Sequence, residues 1–199
     1  MSSKNFYDLD PSKVFDAIES LGLTVTGRYF QLNSYENRVF DVAVEQGHNL
    51  KSIMDFGFSS NAEAKSVIAK FYRPQRWSKE AIQEEHQFMF DLNKAGIKAV
   101  SPYQFDGETV FEDKGILFSL FPKAYGRMPQ ELAPNQLESI GRTLARLHNV
   151  GEQQQAPNRL YFDVESYGDE SLDHISQFIY PEVQDRYWDI ANQILDETH

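Results

Sequence analysis

Hydrophobic and polar positions follow two different periods along this chain, and the period predicts each element. A helical period comes first, behind Asp10 and Pro11, which are typical of an N-cap and a first helical position. The apolar positions of this helix are Val14, Phe15, Ile18 and Leu21. Residues 24–32 and 38–44 are rich in β-branched and aromatic side chains, which predicts two strands joined by a polar turn at 33–37.

The middle of the chain predicts a loop, a strand and a helix. Residues 45–65 contain glycine, serine and asparagine, and we expect them to form a long hairpin excursion. An apolar run at 66–72 is typical of a strand that is covered on both faces. Ser78 suits the N-cap of a helix at 79–95, and Gly96 suits the position just after it.

A hairpin is predicted next, because Asp106 and Gly107 form a strong two-residue turn signal. They are flanked by strand-like residues 102–105 and 109–112. A further strand is predicted over residues 116–121.

Strand patterns stop at residues 122–134, where proline, glycine, lysine and arginine cluster. A helical stripe follows, formed by Leu137, Ile140, Leu144 and Leu147. Residues 151–169 are polar and predict a loop, whereas 171–180 and 182–198 predict two helices around Pro181.

This order of elements is typical of an α+β protein with two lobes. We expect a lobe at residues 1–121, built on a mostly antiparallel sheet with one inserted helix. A linker is expected at 122–134, followed by a helical part at 135–199.

Composition narrows the class of protein. Hydrophobic residues make up 41% of the chain, enough for a folded core, and the net charge of −11 disfavours a general binder of nucleic acids or anionic membranes. The absence of cysteine excludes disulfides and thiolate chemistry. No apolar run approaches the roughly 20 residues of a membrane span, and the N-terminus lacks a secretory signal. We therefore expect a cytoplasmic protein with no membrane or nucleic-acid partner.

Lys70 is the most informative candidate for chemistry, because it interrupts the apolar run of the third strand. Burying an unpaired ammonium costs several kcal/mol. The side chain must therefore either reach water from an edge strand or meet an anion. The strand alone leaves both alternatives open.

The following helix supplies three acidic candidates for that anion. Glu85 is the first choice, since Phe88 and Leu92 follow it at i+3 and i+7 on the inward face. Glu84 is the second choice, and Glu80 is expected to face solvent. An ionised carboxylate beside the strand lysine would keep the ammonium charged.

The turn at residues 33–37 is a candidate for contact with phosphate, through its backbone N–H groups and the Ser34 hydroxyl. It has no glycine, so the glycine-rich signatures of phosphate-binding loops are absent. An ordinary hairpin turn of asparagine and serine is the alternative.

Several blocks of the chain resemble the bacterial stress response kinase A family. They are NSYENRV at 33–39, KFYRP at 70–74 with Arg76 and Trp77, and EEHQF at 84–88. A further block, GRTLARLH at 141–148, resembles a helix of the wider superfamily of choline and aminoglycoside kinases. The resemblance implies a protein-kinase-like fold of the aminoglycoside phosphotransferase type and a Ser/Thr protein kinase that uses ATP and Mg²⁺ in the stress response.

The resemblance also assigns roles to residues of this chain. It implies that Glu85, or in second place Glu84, orients the phosphate-binding lysine, and that backbone near Phe121 and Pro122 meets adenine. The implied ATP-binding residues are Ser34, Tyr35, Asn37, Lys70 and Phe121.

Two departures from that family stand out. The 45–65 segment is longer than expected, and the family's catalytic His-Gly-Asp, its Asn and its later metal-binding Asp are not found. Histidine meets glycine only as Gly47-His48, without the Asp. The helix predicted at 182–198 resembles the one that precedes the catalytic loop, so we expect a C-lobe that is truncated.

We therefore expect the N-terminal part of an ATP-dependent kinase, which is inactive as this chain alone and whose metal ligands lie beyond residue 199. Protein Ser/Thr is the implied acceptor, and a small-molecule alcohol is the rival acceptor. A non-catalytic module that binds a nucleotide or a partner is the alternative function. The acidic residues near 163–174 are interpreted as a solvated loop rather than a metal site.

Overall fold

The structure is a computed structural model that describes residues 6–45, 66–126, 129 and 131–198. The chain divides into two compact units, Met1–Ala156 and Pro157–His199. Most of the predicted 45–65 excursion lies outside the described residues. No helix in the described ranges combines the length and apolarity that crossing a membrane requires.

An antiparallel five-stranded sheet forms the centre of the first unit, as the strand patterns predicted. The strand order is β1-β2-β3-β5-β4, so β3 is the central strand. The strands are β1 Val25–Leu32, β2 Arg38–Val44, β3 Ser66–Phe71, β4 Phe111–Asp113 and β5 Ile116–Pro122.

Helix α1, Pro11–Glu19, packs its apolar side against the first unit's main hydrophobic core. The side chain of Asp10 accepts a hydrogen bond from the backbone N–H of Lys13, which confirms the predicted N-cap. The core takes alternate residues from each strand because side chains in a strand point to opposite faces. Its largest buried side chains include Ile18, Phe40, Phe71, Phe118 and Leu120.

Helix α2, Lys79–Lys94, follows β3 and packs against strand side chains that point away from this core. There its Ile82 joins a second buried cluster with Tyr72 and Val110. Ser78 caps it by accepting a hydrogen bond from the N–H of Ala81, as predicted. Gly96 follows the helix with a φ of +74°, which a residue without Cβ adopts without strain.

The predicted hairpin around Asp106 and Gly107 is wrong in its strands. Both residues have positive φ, as a two-residue hairpin turn requires, but only the single bridge Phe105–Glu108 forms. Just upstream of the bridge, the N–H of Tyr103 donates to the carbonyl of Leu120 at 2.8 Å. Contact with β5 therefore takes the backbone that a longer hairpin would have used, and β4 pairs with β5 instead.

Helix α3, Pro134–Gly151, belongs to the same compact unit as the sheet. It lies beside the end of α2, where Arg146 donates to the carbonyl of Ala95 at 3.1 Å. A second link follows the helix, because Gln154 donates to Asp91 on α2 at 2.6 Å. The lobe boundaries at 121 and 135 stay a prediction.

The second unit is helical throughout most of its length. A π-helical turn at Glu165–Asp169 continues into α4, Glu170–Ile175, and a 3₁₀ turn, Ser176–Phe178. The predicted loop at 151–169 is therefore wrong at its end. Helix α5 spans Pro181–Thr198 and begins at Pro181. Proline is common at the first position of a helix, because the backbone N–H that it lacks would have no intrahelical acceptor there.

Candidate functional site

Lys70 lies on the central strand of the sheet, not on an edge. In register it stands opposite Val39 on β2 and opposite Ser119 on β5. The alternative of an edge-strand lysine that only reaches into water is therefore wrong. Its side chain lies on the sheet face opposite the α1 core, because its neighbours Ala69 and Phe71 point into that core.

The structure brings Lys70 together with Glu85 of α2. The Lys70 Nζ lies 3.5 Å from Glu85 Oε1, and the two side chains are 24% and 28% exposed. The inward face of the helix is as the spacing predicted, since Leu92 is buried and Phe88 is half-buried. Glu84, the second candidate, is half-buried on the same helix.

Two aromatic rings complete the surroundings of the lysine. Its ammonium lies 4.7 Å from the ring centroid of Tyr72 and 6.0 Å from that of Phe121. Phe121, the predicted adenine-side residue, is 8% exposed and stands near the end of β5. Ring faces attract cations, so both rings add a favourable contact for the Lys70 side chain at this position.

A buried histidine, which the sequence reasoning missed, fastens α2 to the sheet. His86 Nε2 lies 3.0 Å from the hydroxyl of Tyr72, and its Nδ1 lies 2.8 Å from the hydroxyl of Thr109. Because His86 follows Glu85 and Tyr72 lies two residues after Lys70, these contacts hold the two partners of the ion pair in register. The available signal was a lone histidine on the apolar side of a predicted helix.

Ser119 is the second residue that the sequence reasoning missed. It is fully buried opposite Lys70, and its hydroxyl has no hydrogen-bond partner among the described residues. An unsatisfied buried hydroxyl costs about 1–3 kcal/mol. Its signal was a single polar residue in the otherwise apolar strand β5.

The turn at residues 33–37 lies at the same end of the sheet as Lys70. It joins β1 to β2, and Val39, two residues after the turn, pairs with Lys70 on β3. Ser34 and Tyr35 are exposed there, whereas Asn37 is half-buried. The Asn37 side-chain oxygen accepts a hydrogen bond from the N–H of Arg73 at 3.3 Å. All three turn residues singled out from the sequence therefore stand near the strand end that carries the lysine.

An ion pair joins β2 to the segment that follows β5. Lys123 Nζ lies 2.6 Å from Asp41 Oδ2, and the hydrogen bond to this carboxylate raises the pKa of Lys123 above its ordinary value of 10.5. Asp41 stands opposite Ile68, two residues from Lys70 on β3. The pair thus lies on the lysine face of the sheet, on the side where the chain leaves β5.

The described residues do not offer a metal site. No group of three or more His, Cys, Asp or Glu side chains in the described ranges is placed to hold an ion. The acidic stretch at 163–174 instead makes local contacts, such as the bond from the Ser166 N–H to Asp163. Hydrogen bonds from Ser166 lower the pKa of Asp163 below its usual value.

Comparison with family models gives a match over most of the chain. Residues 55–198 match the model described as "Phosphotransferase enzyme family". This range covers the strand of Lys70, the helix of Glu85 and the helices after the sheet.

Curated relatives of the chain carry kinase names. It is 33% identical over 153 residues to "Stress response kinase A" of Shigella flexneri, a match that covers 77% of this chain and 42% of that protein. It is 34% identical over 146 residues to "Serine/threonine protein kinase RdoA" of Salmonella typhimurium (strain LT2), covering 73% of this chain and 39% of that protein. The chain thus spans about two fifths of the length of these relatives.

A solved structure shares the fold. It is described as "Amicoumacin kinase hAmiN in complex with AMP-PNP, Ca2+ and Ami", and it superposes with a TM-score of 0.68 over 99% of this chain and 56% of that chain. The sequence identity is 18%, so the likeness is one of fold.

Proposed function

The chain belongs to the phosphotransferase enzyme family, and from that premise we propose that it forms the nucleotide-binding part of an ATP-dependent kinase. The observation that carries the proposal is the ion pair between Lys70 and Glu85 at 3.5 Å. In kinase folds, a strand lysine held by a helix carboxylate meets the phosphates of ATP. The described pair joins the same two kinds of element, on the sheet face opposite the core.

Each site residue takes a role in this proposal. Lys70 contacts the phosphates and Glu85 orients it, while the N–H groups around Ser34, Tyr35 and Asn37 donate hydrogen bonds to phosphate oxygens. The backbone at the end of β5, beside Phe121, meets the base. Support comes from their placement, since the turn and Lys70 share one end of the sheet.

Serine or threonine in a protein is the phosphate acceptor that we propose. The support is the 34% identity to the Salmonella relative, which is named a serine/threonine protein kinase. A small-molecule alcohol is the rival acceptor, since a small-molecule kinase shares the fold. We also propose a cytoplasmic location for the protein, which stays a prediction.

We further propose that this chain alone transfers no phosphate. Its sequence contains no His-Gly-Asp, and no group of three or more His, Cys, Asp or Glu side chains in the described ranges is placed to hold a cation. A module that binds nucleotide without transferring phosphate is the alternative function that this feature favours. Turnover of ATP by the purified chain would contradict both statements.

Titration of the purified chain with ATP tests the nucleotide site. We expect weak but saturable binding, and Lys70→Met should reduce the affinity about tenfold, since it removes a charge-assisted contact. Lys114→Met is the matched control, because Lys114 contacts Asp16 of α1 and is remote from the Lys70 face. Equal titration curves for all three proteins would overturn the proposal.

A further inference from the structure

Glu36 is an unexpected residue in a turn that faces phosphates. A carboxylate there would repel a polyphosphate, since like charges at short range oppose each other by kcal/mol amounts. In the structure its Oε1 is shielded from water and lies 2.8 Å from Arg76 Nε. The contact is an ion pair rather than an aligned hydrogen bond.

We propose that Arg76 is a positioning residue for the phosphates of the nucleotide. It cancels the charge of Glu36 and holds the 33–37 turn against the segment between β3 and α2. This inference rests on the proposed nucleotide site and adds a residue to it. Arg76 itself is not assigned a contact with the ligand.

The backbone holds Arg76 in a defined place. Arg73 and Arg76 close a turn through the hydrogen bond from the Arg76 N–H to the Arg73 carbonyl at 3.3 Å. Pro74 and Gln75 are its central residues, and Gln75 has a φ of +66°. Proline followed by positive φ marks a type II turn, which usually has glycine at the position of Gln75. A glutamine there is strained, and such strain persists only where the surroundings impose it.

Side-chain packing holds the guanidinium as well. The Arg76 Cζ lies 5.2 Å from the ring centroid of Trp77. Trp77 packs in turn against a buried cluster of Tyr72, Ile82 and Val110. A continuous series of contacts therefore leads from the cluster through Trp77 and Arg76 to the turn.

The same cluster also positions α2, the helix that carries Glu85. Ile82 lies one turn before Glu85 on α2, and Tyr72 lies two residues after Lys70. The hydrogen bond from the Arg73 N–H to the Asn37 side chain adds a second link between the 33–37 turn and the segment that follows β3. The turn contains no glycine, so this external support sets its shape in place of backbone freedom.

The test compares ATP with adenosine, because only ATP carries the charge that Glu36 would repel. We expect Arg76→Gln to weaken ATP binding about fivefold and to leave adenosine binding unchanged. Adding Glu36→Gln to that variant should restore the affinity for ATP, and Arg76→Lys should retain most of it. Arg142→Gln is the matched control, since it breaks an exposed pair with Glu138 on α3.

The outcomes separate this inference from the proposed function. If Lys70→Met weakens ATP binding and Arg76→Gln does not, the role of Arg76 is wrong and the nucleotide site stands. A loss in Arg76→Gln that Glu36→Gln fails to restore also overturns it, as does an equal loss for adenosine. If the unaltered chain does not bind ATP, both proposals fall. Thermal unfolding of each variant identifies any loss that comes from misfolding.

Discussion

Three separate groups surround the Lys70 ammonium within the sheet and replace part of its lost hydration. The carboxylate of Glu85 supplies the opposite charge, and the rings of Tyr72 and Phe121 supply their electron-rich faces. About a quarter of the side chain stays accessible, so water contributes as well. A strand lysine with this environment is fixed in direction before any ligand arrives, which lowers the entropy cost of binding.

The role of Glu85 can be separated from that of Glu84 by paired substitutions. Since the ion pair is partly solvated, we expect Glu85→Gln to weaken ATP binding by about two- to fivefold. Glu84→Gln, one residue earlier on the helix, should change it by less than about twofold. The measurement is the ATP titration described above, and a larger effect for Glu84→Gln would reverse the assignment.

The Asp41–Lys123 pair makes a prediction about pH. Asp41 raises the pKa of Lys123 above 10.5, so the pair stabilises the fold fully below that pH and loses its effect as pH rises through the higher, folded-state pKa. Lys123 is about one third exposed, so we expect a contribution below about 1 kcal/mol.

Urea unfolding of Asp41→Asn and the unaltered chain at about pH 8 and about pH 11 provides the measurement. The difference in unfolding free energy should shrink at the higher pH. Asp106→Asn, which changes an exposed carboxylate in a turn, is the control and should show no such trend. A difference that is the same at both pH values would show that the pair does not act through its charge.

At the scale of elements, α2 is the part whose position decides the site. It is capped by Ser78 at its start and joined to the sheet by His86. Near its end, Asp91 accepts hydrogen bonds from Lys94, Gln87 and Gln154. The bond from Lys94 is the main reason that the pKa of Asp91 lies below its usual value. Contacts along the whole helix thus keep Glu85 at its distance from the lysine.

Two glycines, one just after α2 and one within α3, offer a test of helix geometry. Gly96 has a φ of +74°, so Gly96→Ala should destabilise the chain by about 1 kcal/mol. Gly141 lies within α3 with open space around it, so Gly141→Ala should instead stabilise by about 0.5–1 kcal/mol. Denaturant unfolding measures both, and a loss of stability in both variants would contradict the helix geometry.

At the scale of the whole molecule, the net charge opposes association between copies of the chain, whereas exposed apolar surface favours it. The net charge of −11 keeps copies apart, whereas α3 exposes an apolar stripe of Leu137, Ile140 and Leu144. Each of these three side chains is more than two fifths exposed. The helix has the amphipathic pattern of a packed element, yet no residue of it is buried.

We expect the purified chain to bind a hydrophobic dye through this stripe. Replacing Leu137, Ile140 and Leu144 together by glutamine should reduce dye binding while changing the free energy of unfolding by less than about 1 kcal/mol. A matched variant, Arg142→Gln with Ser139→Gln, alters the polar side of the same helix and should leave the dye signal unchanged. A large loss of stability in the triple variant would show that the stripe is packed.

Local pattern was enough to predict most of the elements. Strand β2 falls at the predicted residues, and α2 and its Ser78 cap agree to within one residue, because period and capping depend on near neighbours. The 106–107 turn shows the limit of this reasoning. The turn itself forms as expected, but the backbone just before it hydrogen-bonds to β5 instead of extending the hairpin.

For the site, residue order and helical spacing were enough to predict a lysine in an apolar strand and a Glu85 that faces inward from the next helix. The central position of that strand, the 3.5 Å between the two charges and the contact of Arg76 with Glu36 became visible only once the elements were packed together. The reason is physical: helix and strand periods are set over a few residues, whereas contacts between residues 40 positions apart depend on how the whole sheet is ordered and packed.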